Sequence, residues 1–322
     1  MPLTVIVTRD YEQMSAEAAG WIIPRVAALE RSRSRCVLGL ATGGSPVGLY
    51  RHLASAANHG TLNSGCWETF NLDEYVGLPG DTPEERAAHP QSYHAFMENR
   101  LFSLLRCRPA RTAVPPGHRI DVPLLRRHLA EYPGDWFEEG TVSGRAVVIR
   151  AQPESPYLGW IRREIQDAWV DAVRMAGGID LQILGVGGRG HVAFHEAGIP
   201  FELPGLLLVK LDAVTRRHAV DDGYFAAFEE TPEFALTMSL DLVFQARSVV
   251  VLANGSRKRE AIARSLLGEP SAETPMSYAR IYASRGGDVT FVLDEIAAAD
   301  LLAAPERVRE SGFTLLDRRA AA

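Results

Sequence analysis

Three cysteines, two lysines and no long apolar run mark what this chain of 322 residues does without. Cys36, Cys66 and Cys107 are too few and too far apart for a disulfide framework or a Cys-x-x-Cys metal site, so they read as reduced structural thiols. The histidines show no ligand spacing with acids or cysteines, and neither a metal nor a redox cofactor is expected. An uninterrupted apolar stretch of membrane-spanning length is missing, as is a charged-then-apolar opening segment. The expectations are therefore no membrane partner and a cytoplasmic location. There is no basic run with interleaved aromatics, and with a net charge of −6 nucleic acid is not an expected partner. Lysine stands only at Lys210 and Lys258, while arginine supplies the remaining positive charge. A lysine that persists in so arginine-biased a chain reads as a compact point charge suited to phosphate.

What is present is a chain with 46% hydrophobic and 23% charged residues, enough to bury a full core as one α/β unit over residues 1–322. The most informative run begins Cys36-Val37-Leu38-Gly39-Leu40-Ala41, passes into Thr42-Gly43-Gly44-Ser45-Pro46 and continues Val47-Gly48-Leu49-Tyr50. Strand formers, then a hydroxyl and two glycines, then a proline at a first helical turn spell strand, tight loop and helix start. Backbone N–H groups and the positive end of the helix dipole converge there, which makes the loop a cradle for an anion. Two further apolar strands lead into polar loops: Phe70-Asn71-Leu72-Asp73-Glu74-Tyr75, and Asp180-Leu181-Gln182-Ile183-Leu184-Gly185 followed by Val186-Gly187-Gly188-Arg189-Gly190-His191. In an open parallel sheet such C-terminal strand ends share one edge, where these folds place their sites.

Hydrophobic spacing predicts strands over 4–8, 248–253 and 289–293, and helices over 14–30, 46–58, 92–105, 158–175 and 256–267. Residues 108–156 read as irregular and rich in proline and arginine.

These motifs, in this order, resemble the glucosamine-6-phosphate deaminase/isomerase family, which includes the 6-phosphogluconolactonases. The stretches Pro232-Glu233-Phe234-Ala235-Leu236-Thr237-Met238 and Gly255-Ser256-Arg257-Lys258 are similar to further family segments. The resemblance implies a modified Rossmann-like α/β fold, an open, mostly parallel sheet with helices on both faces, an insertion over residues 108–156 and a lid over residues 210–232. It implies aldose-ketose isomerisation, with or without deamination, of an amino-sugar phosphate. Asp73 would take the proton from carbon 2, and His191 would assist ring opening with Glu196 orienting it. Thr42, Gly43, Gly44, Ser45 and Lys258 match phosphate-binding positions. Hydrolysis of 6-phosphogluconolactone and non-catalytic sensing of a sugar phosphate are the alternatives. The expected partners are a small sugar phosphate and, at most, further copies of the same chain.

The departures concentrate around the histidine and the lid. Arg189 stands where the deaminases have an aspartate in the catalytic relay, a change that lowers the histidine pKa. His195 stands for asparagine, and Glu74 is expected to face away from the site. Asp221-Asp222-Gly223 precedes Tyr224-Phe225 where the family places a phosphate-binding arginine, which leaves Arg216 or Arg217 to substitute. Arg189 and Asp221 or Asp222 form a candidate compensating charge exchange. Ser239-Leu240-Asp241 replaces a glycine-rich stretch and is expected to alter the site floor.

Overall fold

A computed structural model describes residues 3–221 and 223–320. Its strands are β1 (Leu3–Thr8), β2 (Cys36–Leu40), β3 (Trp67–Asn71), β4 (Asp73–Val76), β5 (Arg111–Ala113), β6 (Trp136–Thr141) and β7 (Gly144–Ile149). They continue with β8 (Leu181–Gly185), β9 (Leu206–Lys210), β10 (Phe234–Met238), β11 (Ser248–Ala253), β12 (Asp288–Asp294) and β13 (Thr314–Asp317). Eight of these form one sheet in the order β13-β1-β12-β11-β8-β2-β3-β5, every pairing parallel. The other five form an antiparallel sheet in the order β4-β10-β9-β7-β6.

The central strands are apolar throughout because both faces of the parallel sheet are covered. On one face Met14, Ile22 and Val26 of the helix Tyr11–Ser32 and Leu49 and Leu53 of the helix Val47–Asn58 pack on Leu38, Leu40, Ile183 and Val250. On the other, Leu158, Ile161, Ile165 and Trp169 pack with Phe70, Leu184, Val249 and Val251. The first helix starts at Tyr11, earlier than its apolar spacing predicts, because the Asp10 carboxylate accepts from the Gln13 amide. The predicted helix at 92–105 is shorter: it runs over Tyr93–Arg100 and gives way to a tight turn at Phe102–Leu104. Residues 156–175 are helical throughout, with widened π-type turns over Ile161–Asp167.

Chain order places the switch point between β2 and β8. From β2 the chain steps outward through β3 to β5, and from β8 it steps the other way through β11 to β12. The loops that follow β2 and β8 diverge and leave a crevice between them.

Two features depart from expectation. The segment 108–156 is largely regular: it supplies β5, the helix Val122–Glu131 and the β6–β7 hairpin, and β7 extends the second sheet by pairing with β9. The carboxylate pair also does not end a strand of the parallel sheet. β3 stops at Asn71, and Asp73 begins β4 in the other sheet. Leu72 is the step between them: its N–H donates to Leu40 O at 3.3 Å, and its carbonyl accepts from Met238 N at 2.7 Å, one bond to each sheet.

The tip of the β6–β7 hairpin rests directly on the loop after His191. A Cβ at Gly144 would stand 2.6 Å from Ala197 O and 2.7 Å from Glu196 Cβ. Gly144→Ala is expected to destabilise the protein by about 1–3 kcal/mol through that overlap. Gly20→Ala, on an exposed helical position with nothing within 4 Å of the new methyl group, is expected to add about 0.5–1 kcal/mol. Urea midpoints of the two variants check this, and a Gly144→Ala midpoint at or above wild type would contradict the tight approach.

Candidate active site

The crevice holds an inner cavity of about 180 Å³. The loop after β2 contributes Thr42, Gly43, Gly44 and Ser45, β4 contributes Asp73 and Tyr75, and the loop after β8 contributes Gly187 and His191. Lys258 and Tyr224 close its mouth and also line an outer cavity of about 930 Å³, together with Gly44 and Ser45. Asn254, Arg257, His218 and Asp221 line that outer space.

The anion loop is braced from behind. Tyr11 Oη donates to Gly44 O at 3.1 Å and accepts from Gly48 N at 2.7 Å, which ties the first helix to the start of the second. Gly43 has φ 96°, a left-handed value that glycine adopts without a Cβ penalty. Ser45 Oγ donates to Asn254 Oδ1 at 2.7 Å, joining this loop to the one after β11, where Lys258 follows.

Alternation along β4 separates the two adjacent carboxylates. Asp73 and Tyr75 face the cavity, and Glu74 points away, as expected, to the start of the helix Tyr93–Arg100. There the Glu74 carboxylate accepts from Tyr75 N at 2.8 Å, Tyr93 N at 3.0 Å and His94 N at 3.2 Å, and meets His94 Nδ1 at 3.2 Å. Burial, reinforced by the neighbouring Glu74 charge, pushes the Asp73 carboxyl well above the usual aspartate range. An aromatic wall stands over it: Tyr75 lies 5.0 Å from Phe194 and 5.3 Å from Tyr93 between ring centroids, and Phe225 meets Tyr75 edge-on at 5.4 Å.

The imidazole of His191 lies against Gly187, where a Cβ would come within 1.9 Å of Nε2. Burial, then the charges of Lys258, His218 and Arg189, lower its pKa to about 3, so the ring is neutral at physiological pH. Arg189 acts in the direction expected for it but ranks behind burial and Lys258. Ala193, between His191 and Phe194, is the one described non-glycine residue at positive φ, 53°, and marks backbone strain in the cavity wall.

Several predicted site residues lie elsewhere. Arg189 lines neither cavity: Nη1 donates to Asp212 Oδ2 at 2.6 Å and Nη2 to Ser143 Oγ at 2.9 Å. The acid that answers it is Asp212, and not Asp221, which lines the outer cavity; Asp222 lies outside the described residues. The Glu196 carboxylate accepts from Asp212 N at 2.9 Å and does not figure among the charges acting on His191. Arg216 donates from Nη2 to Phe228 O at 3.0 Å and Thr231 O at 2.9 Å, with its guanidinium over the Phe228 ring. Arg217 also lies over that ring, and neither arginine reaches a cavity. His195 is fully buried and donates from Nε2 to Ile199 O at 3.2 Å, a packing role that fits simple loop variation. Ser239 caps the short helix Leu240–Val243, and the stretch that was expected to alter the floor lines neither cavity.

Sequence reasoning missed Tyr75, Tyr93, Phe194, Gln91 and Tyr224 at the inner cavity. Strand alternation from Asp73 points to Tyr75, whereas Gln91 and Tyr93 follow a proline-rich loop that carries no periodic signal. Among the described residues no group of three or more His, Cys, Asp or Glu is placed to hold a metal ion, and no helix is long and apolar enough to cross a membrane.

Burial raises the Glu196 carboxyl from its ordinary 4.5 to about 7. The folded protein therefore holds a proton there that the unfolded chain releases, and stability falls as pH rises through that interval, by on the order of 3 kcal/mol. Glu196→Gln lacks this titration. Urea unfolding at pH 5 and pH 8 is expected to show the stability difference shifting in favour of the variant at the higher pH, and a pH-independent difference would refute the shift.

Comparison with known proteins places this arrangement among relatives. The chain is 33% identical over 297 residues to a glucosamine-6-phosphate deaminase of Rhodopirellula baltica, covering 92% of this chain and 95% of the relative. It is 31% identical over 296 residues to a glucosamine-6-phosphate deaminase of Clostridium acetobutylicum, covering 92% and 99%. A solved monomeric glucosamine-6-phosphate deaminase superposes with a TM-score of 0.67 at 28% identity over 92% of this chain and 99% of that one. The 6-phosphogluconolactonase of Trypanosoma brucei shares the fold, with a TM-score of 0.55 at 16% identity over 92% and 98%. No family model matches the chain.

Proposed function

The chain belongs to the glucosamine-6-phosphate deaminase family, and from that premise we propose that it isomerises and deaminates glucosamine 6-phosphate or a close amino-sugar phosphate. The observation that carries this reading is a buried, proton-avid carboxylate, Asp73, facing a small cavity that also holds a neutral imidazole and an anion loop.

The phosphate would sit on the backbone amides of Thr42–Ser45 with Lys258 as counter-charge, which puts the sugar over Asp73. Neutral His191 can give and take the proton that ring opening moves at the ring oxygen. Asp73 then removes the proton from carbon 2 and returns it to carbon 1. The electron pair released at carbon 2 forms the carbon 1–carbon 2 double bond of the enolamine as the carbon 1 oxygen takes up a proton; when carbon 1 is protonated, the nitrogen lone pair makes the imine at carbon 2 and the nitrogen gives up a proton. Water adds to the imine and ammonia departs, so one water enters for each ammonia and ketose phosphate formed. Burial of Asp73 serves this step because a desolvated carboxylate is a stronger base. With Arg189 turned to Asp212, the reading needs no carboxylate relay behind the histidine.

We further read residues 1–322 as one domain with an inserted segment at 108–156 and a lid at 210–232. The net charge of −6 supports the absence of a nucleic-acid partner. A cytoplasmic protein without a membrane partner, acting alone or as a homo-oligomer, fits the same reading.

Incubation with glucosamine 6-phosphate in heavy water tests the proposal, with ammonia followed by coupled assay and deuterium at carbon 1 by NMR. Wild type is expected to give both, and Asp73→Asn to lower kcat by about 10²–10⁴. Acid release from 6-phosphogluconolactone without ammonia would move the assignment to the lactonases. Thermal stabilisation by the sugar phosphate without turnover would make the protein a sensor.

The same site sets a pH dependence. The Glu74 charge helps hold the Asp73 carboxyl up, so activity rises as pH rises through the Asp73 titration. Glu74→Gln removes that charge and is expected to move the acid limb of kcat/KM to lower pH. A limb that stays in place or moves upward would show that Glu74 does not act on the base.

A further inference from the structure

Arg189 departs most from the family pattern, and its contacts give it a different task. Its guanidinium bridges Asp212 at the root of the segment between β9 and β10 and Ser143 at the tip of the β6–β7 hairpin. We infer that Arg189 is a positioning residue that latches the root of the lid to the loop carrying His191.

Asp212 is the point on which this latch closes. Its Oδ2 takes Arg189, its Oδ1 accepts from Thr215 N at 2.6 Å to cap the helix Ala213–Asp221, and its own N–H donates to Glu196 Oε2 at 2.9 Å. The Asp212 side chain is only 9% exposed, so without Arg189 it is a carboxylate held away from water without its cation. The other end of the connection is rigid. Gly187 N donates to His191 O and Gly190 N to Gly187 O, both at 2.9 Å, which closes the loop tightly around Arg189. A shift of the guanidinium therefore carries the loop with it. Beyond the helix, Tyr224 lines both cavities and Phe225 rests on Tyr75, so the same latch fixes where the lid meets the substrate space. The inserted hairpin holds the latch from the far side through Ser143.

The catalytic readout of this inference rests on the deaminase reading, while its conformational readout does not. Arg189→Asp and Asp212→Arg are each expected to raise KM for glucosamine 6-phosphate by roughly tenfold with kcat within a few-fold of wild type, because a loosened lid must be ordered before it contributes to binding. The double swap is expected to recover the part of the loss that comes from the ion pair, while the cap that Asp212 gives Thr215 N stays lost. Hydrogen exchange of amides 213–221, measured without substrate, is expected to speed up in each single variant and to be slower in the swap than in Asp212→Arg alone, which shares the lost cap. Ser143→Ala, which leaves the ion pair in place, is expected to give a smaller change of the same kind, and it carries the test if a charge reversal does not fold. Additive effects in the swap, unchanged exchange in Ser143→Ala, or a loss confined to kcat in Arg189 variants with Asp212 variants unaffected would overturn the latch. Restored exchange protection in a protein whose wild type releases no ammonia would leave the latch standing and remove the deaminase reading.

Discussion

The site depends on a single-residue step between two sheets. Leu72 gives one backbone hydrogen bond to the parallel sheet, through Leu40, and accepts one from the antiparallel sheet, through Met238. Backbone groups buried at such a junction have no water to turn to, so both bonds must form and the step has little freedom. Asp73, the next residue, inherits that position. Its carboxylate is held over the crevice at the switch point by the backbone of two sheets, with no need of a side-chain partner to aim it. A carboxylate held this way can stay desolvated, because orientation and charge stabilisation are separated.

Glu74 shows the other half of that separation. It is as buried as Asp73 but is surrounded by donors from the start of the helix Tyr93–Arg100, while the Asp73 carboxylate faces the cavity. The satisfied acid anchors the helix that brings Tyr93 and Phe96 to the cavity wall. Asp73 feels its neighbour's charge, which adds to the effect of burial. Strand alternation thus turns two chemically similar side chains into a brace and a carboxylate that faces the cavity.

How much of this is legible in the sequence follows the range of the interactions. The parallel strands are buried on both faces and read as continuous apolar runs, so 248–253 coincides with β11 and the glycine loops after β2 and β8 mark the site edge. The second sheet is not legible, because β4, β9 and β10 are short strands that pair across long sequence separations and β6 is mostly polar. The same reason hides the partner of Arg189. Adjacent acids at Asp221 and Asp222 draw attention by their proximity to the aromatic pair, whereas Asp212 qualifies only through the approach of the β8 loop to the end of β9. Gly144, in a segment with no periodic signal, is where the β6–β7 hairpin touches that loop.

The electrostatics of the crevice make best sense as one half of a complementary pair. His191 is neutral because it is buried and because Lys258, His218 and Arg189 add positive field; among the groups that move its pKa there is no acid. In an enzyme with a carboxylate behind the histidine the protein itself supplies the balancing charge. Here a dianionic phosphate seated between the Thr42–Ser45 loop and Lys258 would supply it, since it would offset the Lys258 field, the largest of the charge contributions. Substrate binding would then raise the imidazole pKa towards the range in which it can pick up and release the ring-opening proton. On the proposed reading, an arginine two residues before the histidine is then compatible with ring opening: once the ligand provides the counter-charge, that position is free to pair with Asp212 and Ser143.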